Sequence, residues 1–299
     1  MDQLRRFIFE NRPVRGHRVN LEGAWRELRA HTNHPPAVTA LLGEAVAASA
    51  LLAATLKFQG TLTLQLQGDG AVGLLVAQCT HDFRLRAMAR CEAAALRKLT
   101  DAAPGQASFR QLAGAEGRFA VTVEADERGT RYQGVVPLSG ASLSESLEAY
   151  FASSEQLPTR VLLASDEGHA AGMLVQKLPG ADDSQETEET WAGAQQGIAR
   201  LTPAEVLQGD IEEVLASAFP GHDLRLFGST PVHFECGCSQ GRVAGLLRGL
   251  GADEVRGVLK EQGAVTVMCE FCHRPYRFDM VDVEALFCDG AAGGSLAIH

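Results

Sequence analysis

Thr61-Leu62-Thr63-Leu64-Gln65-Leu66-Gln67, then Gly68-Asp69-Gly70, then Val72 to Gln78, decides the architecture of the larger part of this chain. Leucine alternates strictly with a polar residue, which is the two-residue period of a strand with one face buried and one wet. The Gly-Asp-Gly turn sends the chain straight back as a second apolar strand, and so short a return permits only an antiparallel pair. Gly68 to Gly73 also spells G-x-G-x-x-G. It lies between two strands with no helix after it, so no helix N-terminus is available for a pyrophosphate, and the motif reads as a hairpin turn.

Working outward, Ala37 to Phe58 is rich in Ala, Leu and Val. Glu44 and Lys57 interrupt it and small residues dominate, so it reads as a buried core helix and not as a membrane span. Before it, Phe7-Ile8-Phe9 is a short strand and Leu21 to Ala30 a helix that Pro35-Pro36 stops. His31-Thr32-Asn33-His34 is an H-x-x-H in the loop ahead of those prolines, where loop polarity explains it. After the hairpin, Phe119–Glu124 and Arg131–Leu138 pair around Glu127-Arg128-Gly129. Leu143–Phe151 is a helix with Leu143, Leu147 and Tyr150/Phe151 on one face, and Val161–Ala164 and Gly172–Gln176 are further strands. Residues 1–180 thus form an α+β domain of mixed helical and antiparallel sheet layers.

Composition shifts after Pro179-Gly180. Asp182, Asp183, Glu186, Glu188 and Glu189 follow with no base among them, a solvated and marginally ordered stretch. Thr202-Pro203-Ala204-Glu205 starts a helix with Thr as N-cap, Pro at N1 and Glu at N3. Val206, Ile211, Val214, Leu215 and Phe219 supply its apolar positions, and Pro220-Gly221 ends it. Residues 181–232 therefore read as a labile helical linker with little core of its own. Residues 233–290 form a small module, and 291–299 a flexible tail.

The module carries Cys236-Gly237-Cys238 and, after 30 residues, Cys269-Glu270-Phe271-Cys272. Two close thiol pairs on either side of a foldable insert are what one tetrahedral zinc ion per chain needs. Val243, Leu246, Leu247 and Leu250 mark one short helix of the insert, and Val255, Val258 and Leu259 a second. Val265–Met268 and Tyr276–Phe278 place the second pair at a hairpin tip. The C-x-C spacing also leaves two sulfurs close enough to bond to each other, so the same four residues suit a metal site or two disulfides. A module of about 60 residues buries little core and usually needs such a staple. His233 and His273 flank the pairs as surface histidines. Cys288 is a spare or resolving thiol, and Cys79 and Cys91 sit in apolar segments as small core side chains.

The bulk numbers narrow the function. The chain has 299 residues, net charge −10 and pI about 5.4, a poor default for binding nucleic acid or anionic membranes. From residue 231 onward six Lys/Arg face nine Asp/Glu, which argues against a zinc-ribbon nucleic-acid binder. His233-Phe234-Glu235 spells the H-x-E of zinc deaminases, with Cys269 and Cys272 downstream. No Pro precedes Cys269, however, and four thiolates leave no open position for water. No P-loop, G-x-S-x-G or H-E-x-x-H occurs, and no catalytic residue is assigned. The opening, Met1 to Arg6, has no apolar stretch of a secretory leader, so a reducing, cytoplasmic compartment is expected for the seven cysteines.

Beyond the cysteines, the chain resembles the 33 kDa chaperonin family of redox-regulated bacterial heat-shock chaperones. The resemblance is carried by Arg6-Phe7-Ile8-Phe9-Glu10-Asn11 with Val14-Arg15-Gly16, by Leu56-Lys57-Phe58 running into Leu64–Gly70, by Arg131–Val136, and by Tyr150-Phe151 through Ser154–Arg160. It covers nearly the whole chain. It implies an ATP-independent holdase for unfolding client proteins under oxidative stress, not an enzyme. It further implies an inactive zinc-bound monomer that on oxidation forms Cys236–Cys238 and Cys269–Cys272 disulfides, unfolds module and linker, and dimerises. Cys79, Cys91 and Cys288 are not switch positions of that family, and the helix break Phe219-Pro220-Gly221-His222 is unexpected in its linker.

Overall fold

A computed structural model describes residues 2–102, 107–125, 131–179 and 184–288. The chain divides into two compact units at Glu235/Cys236.

The larger unit opens with β1 (Gln3–Phe9) and β2 (Val14–Leu21), a short helix α1 (Gly23–Arg29) and the long α2 (Pro36–Thr55). There follow β3 (Gly60–Gln67), β4 (Val72–Thr80), β5 (Arg84–Cys91), α3 (Ala93–Ala102), α4 (Phe109–Ala113), β6 (Arg118–Ala125) and β7 (Arg131–Pro137). Next are α5 (Leu143–Tyr150), which runs into a π-helical turn at Phe151–Glu155, and then β8 (Thr159–Ser165) and β9 (Ala170–Lys177). Three helices, α6 (Gln185–Arg200), α7 (Pro203–Gln208) and α8 (Ile211–Ala218), lead to β10 (Leu224–Pro231) and β11 (His233–Phe234).

Two sheets result. One has five strands in the order β10-β1-β2-β9-β8, antiparallel throughout, and the other six in the order β11-β5-β4-β3-β6-β7, where only the β11–β5 pair is parallel. The alternating Thr61–Gln67 stretch is β3, in the middle of the second sheet. Its Leu62, Leu64 and Leu66 are buried, and Gly68–Gly73 is the turn to β4 as expected. The turn expected at Glu127-Arg128-Gly129 lies outside the described residues.

Helix α2 packs against β3, β4 and β5 of one sheet and β2, β8 and β9 of the other. Among the described residues it is the one helix long and apolar enough to cross a membrane, and it is mostly buried here. Being covered all round, it carries no amphipathic stripe, which is why its residues read as a continuous Ala/Leu/Val run. Gly43 has no room for a side chain, because a Cβ would meet Ser165 Oγ at 2.1 Å.

The five-stranded sheet is buried on both faces. Along β9, Ala170 and Leu174 join the core around α2, while Ala171, Met173 and Val175 face the other way. That second face, with Phe7 and Phe9 of β1, is covered by Trp191, Ile198, Val206, Ile211, Leu215 and Phe219 of the α6–α8 segment. The stretch expected to have little core of its own thus shares the core of the sheet it covers. The helix break has a packing reason. Helix α8 stops at Ala218, and Phe219 turns in against Phe7 and Phe9, with ring centroids at 5.8 and 5.2 Å. Gly197 lets α6 approach this point, since a Cβ there would meet Ala218 O at 2.4 Å. Four strands escape the sequence reading altogether: β2, β5, with Arg at three of its eight positions, β10, an edge with no buried residue, and the two-residue β11.

The smaller unit contains α9 (Gln240–Leu250), α10 (Ala252–Gln262), the hairpin β12 (Val265–Met268) and β13 (Pro275–Phe278), and α11 (Met280–Cys288). Its core is small: Val243, Ala244 and Leu247 meet Val255, Leu259 and Val265, closed by Tyr276, Phe278, Val283 and Leu286.

Candidate metal centre

Local structure brings each thiol pair to a tight turn. In the hairpin, Met268 pairs with Pro275, so residues 269–274 form the tip. The Cys269 N–H donates to Arg274 O at 3.0 Å and the His273 N–H donates to Cys269 O at 2.8 Å, which closes the loop with His273 at a left-handed φ of 51°. The first pair lies just ahead of α9. Ser239 is the N-cap of that helix and accepts from the Arg242 N–H, and the Arg242 guanidinium donates to Gly237 O at 2.6 Å. Cys238 therefore stands next to a helix N-terminus, whose partial positive charge favours a thiolate.

The four sulfurs converge. All four Sγ atoms lie within 4.8 Å of one another. The contacts across the pairs are Cys236–Cys269 at 3.6 Å and Cys238–Cys272 at 3.4 Å. An ion at the ordinary zinc–sulfur distance of about 2.3 Å sets tetrahedral sulfurs roughly 3.8 Å apart. The donor set fits a thiophilic metal in both chemistry and spacing. No histidine nitrogen belongs to the cluster among the described residues. Cys238 and Cys269 also pack against the small core, so the cluster and the core hold the same elements together.

The thiols are unequal. Burial raises Cys236, to about 12, and raises Cys272. For Cys238 burial is outweighed by hydrogen bonds from Tyr276 and from the neighbouring cysteines, and its pKa falls to about 7. Tyr276, missed in the sequence as anything but a strand residue, donates its hydroxyl to Cys238 Sγ at 3.0 Å. Its spacing four residues after Cys272 was the signal available, because a hairpin returns that residue beside its own tip.

The other marked residues lie elsewhere. His233 and Phe234 form β11 beside β5, and Glu235 pairs with Arg84 at 2.8 Å, so the H-x-E motif is the end of a strand and not a deaminase helix. His31 stacks on Phe234 with centroids at 5.5 Å. Cys79 is buried in β4, Cys91 is half-buried at the end of β5, and Cys288 is exposed at the end of α11.

The family profile of the Hsp33 protein matches residues 2–279. The chain is 42% identical over 289 residues to a 33 kDa chaperonin of Nitrosococcus oceani, covering 96% of this chain and 95% of that one. It is 42% identical over 303 residues to a 33 kDa chaperonin of Pseudomonas paraeruginosa, covering 100% and 99% of the two chains. The crystal structure of a 33 kDa chaperonin from Thermotoga maritima superposes with a TM-score of 0.80 at 23% identity, over 97% of this chain and 99% of that one. The chain belongs to the Hsp33 family of chaperones, and it is a chaperone rather than an enzyme.

Proposed function

We propose that this protein is a redox-regulated, ATP-independent holdase of the cytoplasm, held inactive by one zinc ion on Cys236, Cys238, Cys269 and Cys272. The observation that carries the reading is the convergence of four sulfurs from two turns onto one point. When bound, zinc would keep all four sulfurs as thiolates and tie the α9 turn to the hairpin tip.

A thiolate is the form that oxidants attack. The sulfur lone pair displaces hydroxide from hydrogen peroxide, breaking the O–O bond and forming a sulfenic acid. A second thiolate then attacks that sulfur, forms the disulfide and expels a second hydroxide. Two thiolates lose two electrons, and one peroxide becomes two hydroxides. Pairing Cys236 with Cys238 and Cys269 with Cys272 leaves no sulfur to hold an ion.

Structural zinc contributes about 10–16 kcal/mol in zinc-finger peptides, as much as a whole domain's stability of about 5–15 kcal/mol. The ten buried side chains of the small core do not hold that unit without it. Loss of the ion therefore unfolds residues 236–288, and the α6–α8 segment follows. The face of Phe7, Phe9, Met173 and Val175 is then open to the apolar segments of unfolding clients, or to a second copy as a homodimer. The test treats zinc-loaded protein with peroxide and follows metal release, proteolysis of residues 184–222 and suppression of client aggregation. Full metal retention with unchanged proteolysis, or metal release without holdase activity, overturns the reading.

A further inference from the structure

We propose that Tyr276 is a positioning residue that shields the Cys238 thiolate, so that oxidants meet the other sulfurs first. The proposal rests on the reading of the four cysteines as a metal site and adds a determinant of its reactivity.

Tyr276 stands on β13, opposite Val267, with its ring in the small core and 8% of its surface exposed. Its Oη lies 3.0 Å from Cys238 Sγ. The Arg274 guanidinium acts electrostatically on the same hydroxyl and on Cys238. A thiolate has no proton to give, so the phenolic O–H donates and points at sulfur. The Arg274 cation near the phenol strengthens the O–H···S bond. Of the four sulfurs, the Tyr276 hydroxyl reaches Cys238 alone. A side-chain donor on a metal-binding thiolate draws charge off the sulfur, lowers its nucleophilicity and steadies its orientation. Attack on peroxide needs that lone pair to leave sulfur, break the O–O bond and release hydroxide. Cys238 has its lone pair engaged, which leaves it slowest to form S–OH.

The test uses the full chain loaded with cobalt(II) or with zinc, as wild type, Y276F and R274M. Y276F keeps the ring in the core and removes only the donor. Its sulfur-to-cobalt charge-transfer band is expected at longer wavelength, and Cys238 in the zinc form, mapped by mass spectrometry, should be alkylated about 10-fold faster. R274M leaves the phenol in place and should move both readouts the same way by less. It also keeps the proposal testable if Y276F does not fold. A merely structural tyrosine would leave the band of the folded variants where it is. Unmoved bands and unmoved Cys238 alkylation overturn the shielding role while leaving the metal site intact. Absence of a thiolate–cobalt spectrum in the wild type overturns the metal reading and this proposal with it.

Discussion

Replacing Arg18 by methionine should loosen α7 and α8 in the reduced protein, with no oxidant present. Arg18 lies on β2 and is 4% exposed. Its Nη2 donates to Val206 O at 3.0 Å and to Gly209 O at 2.6 Å, and the neighbouring Asn20 Nδ2 donates to Leu207 O at 2.8 Å. These are carbonyls of the last turn of α7 and of Gly209, which caps it, and such end carbonyls have no partner within the helix. A buried acceptor that loses its donor costs roughly 1–3 kcal/mol. Arg18 is itself expensive to bury: its guanidinium pKa is lowered by burial and only partly restored by Asp210, and its Nε has no acceptor. Setting that relief against two orphaned carbonyls leaves a net loss of about 2–4 kcal/mol. At about 1.4 kcal/mol per decade, hydrogen exchange of the 203–218 amides should speed up about 30- to 1,000-fold. N20A, with one neutral bond, should lose only about 1 kcal/mol. If R18M exchanges within threefold of wild type across α7 and α8, the clasp carries no net energy and apolar burial alone holds the segment.

Replacing any one of the four clustered cysteines by serine should abolish stoichiometric metal binding and the cooperative unfolding of residues 236–288, read by metal analysis and hydrogen exchange. Glu44, on α2, is raised by burial to about 7. Because the folded state holds that proton more tightly than the unfolded chain, its contribution is present at low pH and disappears as pH rises from about 4.5 to 7. E44Q should therefore stabilise by about 1–3 kcal/mol at pH 8 and by less than about 1 kcal/mol at pH 5, as denaturant midpoints at the two pH values will tell. His17 behaves oppositely: burial first, then Arg15 and Arg6, lower it to about 3. It stays neutral in the fold, so its contribution is lost as pH falls from about 6.5 towards 3, and its ring proton should show no NMR titration between pH 7 and 5.

How much was legible depends on how local the determinant is. The β3–β4 hairpin, α2 and the Cys269–Cys272 hairpin declare themselves through alternation, uniform hydrophobicity and thiol spacing, all set within about 20 residues. Strand β5 did not. Its main partner β4 ends only four residues before it, so distance did not hide it; Arg84, Arg86 and Arg90 did, because three charges in eight residues do not read as a strand. Strand β10 is an edge whose pairing partner β1 lies more than 200 residues away, and nothing in Leu224–Pro231 announces it. The four cysteines were legible because metal chemistry fixes residue type and count. Tyr276 was not, because a hydrogen bond to sulfur asks only for a hydroxyl at the right point of a folded hairpin. The α6–α8 stripe was visible as helical periodicity, but the face that receives it, on β1 and β9, emerges only once those strands lie side by side in one sheet.

The forces on α6–α8 divide in a way that salt can test. Two ion pairs tie α6 to the five-stranded sheet's surroundings: Arg12–Glu186 at 2.5 Å, and Lys177–Glu188. Both carboxylates are more than half exposed, so each pair is worth at most about 1 kcal/mol and is screened as ionic strength rises. Against them stand the burial of Trp191, Ile198, Leu215 and Phe219 on Phe7, Phe9 and Met173, at roughly 1.5–3 kcal/mol per large side chain, and the buried Arg18 clasp. Apolar burial does not weaken with added chloride, and a cation sealed beneath α7 is screened little. Helix α6 should therefore fray at its N-terminal turn in 1 M salt while the 203–218 amides keep their protection. An acidic segment held mainly by charge would lose both together, and the outer face of the sheet would then be uncovered by ionic strength alone, with no change in the oxidation state of any sulfur.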